Sequence, residues 1–143
     1  MFFGEYEHSL DAKGRVILPS KFRERLAGGG FITKVLDGCL AVYTADEFEL
    51  VAADMQEKAR RGQMERSVVR SFAAGTSDVE PDRQGRIPIP AHLRQFAGLV
   101  DRVVITGAIN RIEIWDAARW AEVNRQGEEL LAGAQPGLHD IGI

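Results

Sequence analysis

The sequence predicts an α+β protein made of two copies of one small unit, packed together as an intrachain pseudo-dimer. Two observations carry this reading. A thirteen-residue segment occurs twice, and each occurrence is followed by the same order of short strand patterns and a longer helical stripe. Asp11-Ala-Lys-Gly-Arg15-Val-Ile-Leu-Pro19-Ser-Lys-Phe-Arg23 aligns with Asp82-Arg-Gln-Gly-Arg86-Ile-Pro-Ile-Pro90-Ala-His-Leu-Arg94 at a constant offset of 71. Five positions are identical: Asp11/Asp82, Gly14/Gly85, Arg15/Arg86, Pro19/Pro90 and Arg23/Arg94. Unrelated segments of this length would share about one identity. Further on, Leu40 to Phe48 matches Ile112 to Trp120 at an offset of 72, so one residue is gained in a loop. The chain therefore divides into residues 1–75, a copy with an extra helix, and 76–143, a copy ending in a helix and a frayed tail. Neither copy is large enough to bury a good core alone.

Each element has a local reason. Asp-x-x-Gly suits a type I turn, with the Asp side chain bonding nearby amides and Gly free to adopt positive φ. Asp11, Gly14, Asp82 and Gly85 are thus structural turn residues. The branched runs after them, Val16-Ile-Leu and Ile87-Pro-Ile, read as short strands. Pro88 places its strand at an edge or bulge, because it cannot donate to a ladder. Pro19 and Pro90 fit the entry to short helices, with Phe22/Leu26 and Leu93/Ala97 on one face. Strands follow near 31–36 and 39–43, with Asp37-Gly38 as a tight hairpin turn, and near 102–107 and 111–115. Thr44-x-x-Glu47 is a capping box, and Phe48, Val51, Ala52, Met55 and Ala59 form an inward stripe behind it. In copy two Asp116 is the cap, with Trp120, Val123, Leu130 and Leu131 inward. The extra helix of copy one runs from Gln63 to Ala74, carrying Met64, Val68 and Phe72.

The 143 residues hold 18 basic and 21 acidic side chains, a net charge of −3, with 45% hydrophobic residues. That balance is ordinary for a folded globular domain. No stretch reaches the 18–20 apolar residues that a membrane-spanning helix needs. Met1 to Asp11 contain two glutamates and no Lys or Arg, unlike a secretory signal, so a cytoplasmic protein is expected. The single cysteine, Cys39, and three scattered histidines offer neither a disulfide nor a metal constellation, and no cofactor is implied. The charge is unevenly spread. Residues 11–34 carry +4, residues 82–102 carry +2, and the remainder carries −9. A low overall charge is compatible with nucleic-acid binding when the basic face is local.

Solvated arginines flanking turns would explain much of that charge. The duplication argues further, because the turn needs its Asp and Gly but not an Arg beside them twice. Arg15 and Arg86 therefore read as presented side chains. Other candidates are weaker. Ala27-Gly28-Gly29-Gly30-Phe31 lacks the Lys-Ser/Thr of a phosphate loop and reads as a helix-ending linker. His8 with Ser9 and Asp11 are sequence neighbours rather than a triad, and copy two has Ser77-Asp78 without a histidine. Cys39, Trp115 and Trp120 read as packing residues. No catalytic set emerges, so the chain reads as a binding protein and not as an enzyme. The alternative to nucleic-acid binding is a protein-interaction scaffold using its acidic helices.

The opening Met1-Phe2-Phe3-Gly4, the segment Ser9-Leu10-Asp11-Ala12-Lys13-Gly14-Arg15-Val16-Ile17-Leu18-Pro19-Ser20-Lys21-Phe22-Arg23 and the second Asp82-x-x-Gly85-Arg86-Ile87-x-Ile89-Pro90 resemble the MraZ family of bacterial transcriptional regulators, over the chain to about residue 133. The resemblance implies two swapped-hairpin, AbrB-like β-barrel halves and a ring-shaped homo-oligomer. It implies binding of double-stranded DNA at direct repeats upstream of the protein's own division and cell-wall operon, commonly as a repressor, in the cytoplasm and on the nucleoid. Its DNA-facing positions fall on Arg15 and Arg86, with Lys13 beside the first. Arg83 joins them from its place in the turn, and Lys21 and Arg23 are candidate phosphate contacts. Gln84 stands where copy one has Lys13, which predicts weaker phosphate binding by the second motif.

Overall fold

The computed structural model describes residues 1–133 and 135–143 of the chain. In the first half they form β1 (Glu5–Ser9), β2 (Arg15–Ile17), α1 (Ser20–Arg25), β3 (Gly30–Lys34), β4 (Leu40–Thr44), α2 (Ala45–Arg60) and α3 (Arg66–Gly75). The second half repeats the order without α3: β5 (Ser77–Val79), β6 (Arg86–Pro88), α4 (Ala91–Ala97), β7 (Arg102–Gly107), β8 (Ile112–Asp116) and α5 (Ala117–Ala132).

Six strands form one antiparallel sheet in the order β1-β7-β8-β4-β3-β5, and β2 and β6 form a separate two-stranded ribbon. The hairpins β3–β4 and β7–β8 join at the centre, where Leu40, Ala41 and Val42 oppose Ile114, Glu113 and Ile112. The outer strands are exchanged between halves. β1 of the first half pairs with β7 of the second, and β5 of the second half pairs with β3 of the first. Neither outer strand is legible in the sequence, since Glu-Tyr-Glu-His-Ser and Ser-Asp-Val lack a branched apolar run. They exist because a neighbouring edge offers them a ladder, and strand preference follows such context more than intrinsic propensity. β1 and β5 are the outer strands of this sheet, and among the described residues no pairing joins them. The ribbon strands are three residues long and each follows a tight turn, which leads the chain out of the main sheet.

One core serves both halves. Val16 and Leu18 from one side of the ribbon and Ile87 and Ile89 from the other meet Phe22, Leu26, Leu93 and the sheet residues Ile32, Val42, Ile105 and Ile114, all buried. Each such side chain contributes roughly 1.5–3 kcal/mol on leaving water, so halves that share them are held together by the same term that folds them. The N-terminus is pinned by Phe2, whose ring meets Phe22 edge-on at 5.4 Å and whose backbone exchanges two hydrogen bonds with Ile109.

The helix N-caps fall where the sequence places them, although among the described residues the Glu47 side chain makes no return bond to the Thr44 N–H. Thr44 Oγ1 accepts the Glu47 N–H at 3.3 Å, and the Asp116 carboxylate accepts that of Arg119 at 3.1 Å. Pro19 and Pro90 occupy the N-cap positions of α1 and α4. Four expectations change. The β3–β4 connection is a three-residue turn, Leu36–Gly38, with both Asp37 and Gly38 at positive φ, instead of a two-residue hairpin. α3 begins at Arg66, leaving Met64 in the connection. The α2 stripe is half-buried and not core, because it packs between the β3–β4 hairpin and α3 at the margin of the molecule. Leu130 and Leu131 are 59% and 57% exposed, because α5 packs on β7 and β8 with its first half and then leaves the body. Of the tail expected to fray after Gly133, residue 134 lies outside the described residues. The rest is largely exposed and makes one short helical turn, His139–Ile141.

Candidate functional site

The two repeated turns superpose bond for bond. In the first, Asp11 Oδ1 accepts the N–H groups of Lys13 and Arg15 at 2.9 and 2.8 Å, and Oδ2 accepts Arg15 Nε at 2.7 Å. In the second, Asp82 Oδ1 accepts Gln84 and Arg86 N–H groups at 2.9 Å each, and Oδ2 accepts Arg86 Nε at 2.9 Å. Backbone bonds from Gly14 to the Asp11 carbonyl and from Gly85 to the Asp82 carbonyl close the loops. The carboxyl of Asp11 is held below the usual carboxylate range chiefly by the Arg15 N–H, with burial opposing and the Arg15 side chain and Lys13 N–H assisting. Asp82 is lowered in the same way by Arg86 and Gln84.

These contacts revise one sequence inference. The turn does use its arginine: Nε is spent on the aspartate. What remains is the outer edge, because Nη1 and Nη2 of both Arg15 and Arg86 make no hydrogen bond among the described residues. Each arginine side chain is 27% exposed, anchored at one end and open at the other. Fixing Nε orients the planar guanidinium, so its remaining donors point in a set direction.

The ribbon decides where they point. Arg15 opposes Pro88 and Ile17 opposes Arg86, while Val16 opposes Ile87. Side chains alternate along a strand, and opposed residues share a face. Buried Val16 and Ile87 therefore mark the inner face, and Arg15, Ile17, Arg86 and Pro88 lie together on the outer one. The two arginines are diagonal neighbours on one exposed surface.

Each turn is braced from the other half. Gly14 has φ +74 and Gly85 φ +80, conformations that favour glycine. A Cβ at Gly14 would fall 2.1 Å from Arg94 Nη1, and one at Gly85 would fall 1.8 Å from Arg23 Nη1. Arg94 bonds the Ile89 carbonyl, and Arg23 reaches the Gln84 carbonyl at 3.4 Å. Arg23 thus reaches the opposite turn through Nη1 and lies with Arg83 beside the second turn. The identity Arg23/Arg94 in the repeat was the available signal for these braces, but it does not say what they touch. Lys13 and Arg83 are exposed and unpaired among the described residues, and Lys21 lies over the Phe3 ring at 5.4 Å. A shallow cavity of about 320 Å³ beside the second turn is lined by Arg23, Arg83 and Gln84.

Cys39 is buried, and its thiol is pushed up to about 12, by burial first and then by Glu113. His8 sits on β1 opposite Val103, so His8, Ser9 and Asp11 belong to a strand end and a turn. Trp115 is buried, with its Nε1 donating to Glu113 at 3.1 Å.

A family model described as "MraZ protein, putative antitoxin-like" matches residues 1–71 and again 72–135. A protein named Transcriptional regulator MraZ from Acetivibrio thermocellus is 48% identical over 132 residues, covering 92% of this chain and 91% of that one. Another of the same name from Desulfitobacterium hafniense is 42% identical over 143 residues and covers both chains completely. A third, from Saccharopolyspora erythraea, is 47% identical over 135 residues, 94% of each.

Proposed function

The chain belongs to the MraZ family, and from that premise we propose that it is a sequence-specific DNA-binding transcriptional regulator that represses its own division and cell-wall operon. The observation that supports this reading is the pairing of two carboxylate-oriented arginines on the outer face of one β-ribbon. The major groove of DNA admits a two-stranded ribbon, and an arginine with two free donors can fork onto guanine O6 and N7. Arg15 and Arg86 are the base-reading residues in this account. Lys13, Arg83 and Lys21 neutralise phosphates, which supplies affinity without sequence preference. Asp11, Gly14, Asp82 and Gly85 hold the turns, and Arg23 and Arg94 position them.

The halves, divided as 1–75 and 76–143, correspond to a fused pair of AbrB-like units with exchanged strands. A single ribbon makes few base contacts, so the chain works as a homo-oligomer, a ring, whose successive protomers engage direct repeats and gain by effective concentration. It acts in the cytoplasm at the nucleoid, without catalysis or cofactor. Footprinting on the DNA upstream of its own gene tests the reading, with a salt titration of the same complex. Evenly spaced protected repeats and a steeply negative slope of log affinity against log salt are expected. Affinity that ignores both sequence and salt would overturn it in favour of a helix-mediated scaffold.

A further inference from the structure

Two surfaces of the molecule have no partner among the described residues. The first is an apolar groove of about 510 Å³ between α2 and α3, lined along its length by Val51, Met55, Met64, Val68 and Phe72. Lys34 and Arg111 also line it, and no carboxylate does. The Arg111 guanidinium is held by Glu113 and the Tyr43 hydroxyl. Lys34 makes no ion pair among the described residues, its Nζ lying 5.9 Å from the Phe96 ring centre. The groove is thus oily with one uncompensated cation.

The second surface is the end of α5. Every residue from Arg125 to Ala132 is exposed, including Leu130 and Leu131. Residues three and four apart share a helix face, so both leucines lie beside Gly127, and Glu128 flanks Leu131. A Cβ on Gly127 would meet nothing within 4 Å, which leaves this face open to close approach. Two leucines and a carboxylate on one stripe complement an apolar groove with a lone cation, the pairing by which amphipathic helices enter grooves.

We propose that the C-terminal half of α5 docks in the α2–α3 groove of a second copy of this chain, with Leu130 and Leu131 on the groove methionines and Phe72 and with Glu128 facing Lys34. This rests on the self-association proposed above and names the faces that make it. Because α3 has no counterpart in the second half, each chain offers one groove and one helix end. The contact is heterologous, so copies add head to tail and close into a ring when the rotation between them permits.

Sedimentation velocity of the full chain across a concentration range tests it. Leu131→Glu, at an exposed position, should weaken self-association at least about tenfold while circular dichroism stays unchanged. Lys34→Glu should weaken it as well, and Lys34→Glu combined with Glu128→Lys should restore most of the loss. An oligomeric wild type that none of these changes affects overturns the assignment of faces and leaves self-association standing. A wild type that is monomeric at every concentration overturns both.

Discussion

The two halves agree at the turns and disagree at the helices. Asp11 and Asp82 organise the same bonds to within 0.2 Å, and Arg23 and Arg94 each lie against the glycine of the opposite turn, although Arg23 bonds the Gln84 carbonyl there and Arg94 bonds Ile89 in its own half. Behind α2, by contrast, α3 stacks Phe72 on Phe48 at 5.8 Å, while Trp120, at the matching place in copy two, has Trp115 as its one aromatic neighbour among the described residues. Its Nε1 is buried without a hydrogen-bond partner in the described structure. The lesson is about where symmetry is retained. It holds where two halves form one surface, and lapses where each half meets its own surroundings.

The comparison can be broken first through the core. Phe22→Ala, at the shared centre, should cost about 3–5 kcal/mol in urea unfolding. Phe72→Ala, on the unrepeated helix, should cost only about 1–2 kcal/mol, as expected for a half-buried ring. Equal losses would mean that α3 is part of the core and not an addition to it.

The next effect separates the turns from each other. Arg15→Ala and Arg86→Ala should each lower affinity for operator DNA by about 1–3 kcal/mol in a gel-shift titration, with the fold intact. A loss from only one of them would show that the ribbon is read asymmetrically despite its geometry.

Acid should act on both turns alike. The folded-state pKa values of Asp11 and Asp82 lie below the unfolded value near 4, so the order they impose is present above about pH 4 and disappears as pH falls through the lowered values. Amide exchange at Arg15 and Arg86 should quicken together over that range, beyond the intrinsic pH trend. Asp11→Asn should remove the acid-dependent step at Arg15 alone.

The smallest change addresses the one chemical difference in the turns. Gln84→Lys supplies copy two with the counterpart of Lys13. It should steepen the salt slope of DNA binding by roughly one ion and leave sequence preference unaltered.

Much of this was legible in the residues. The Asp-x-x-Gly turns, the strands that follow, the α2 and α5 caps and the burial of Phe22, Leu93 and Cys39 all rest on interactions within a few residues or on simple hydrophobicity. β1 was hidden because Glu5, Glu7 and Ser9 face solvent along an edge, leaving no apolar alternation of useful length. Leu130 and Leu131 misled for the opposite reason, since helical spacing reports an apolar face but not whether anything in the chain reaches it.

The sequence by itself determined the duplication, the turn chemistry and the choice of arginine as the repeated neighbour. The last two are local matters, set within five residues of each aspartate. Tertiary structure alone decided that first strands cross to the other half, that Arg94 covers Gly14 while Arg23 covers Gly85, and that both guanidinium groups emerge on one side of a ribbon. These depend on groups more than forty residues apart along the chain, brought together by burial of a common core, and no spacing within either copy encodes which partner the other copy will present.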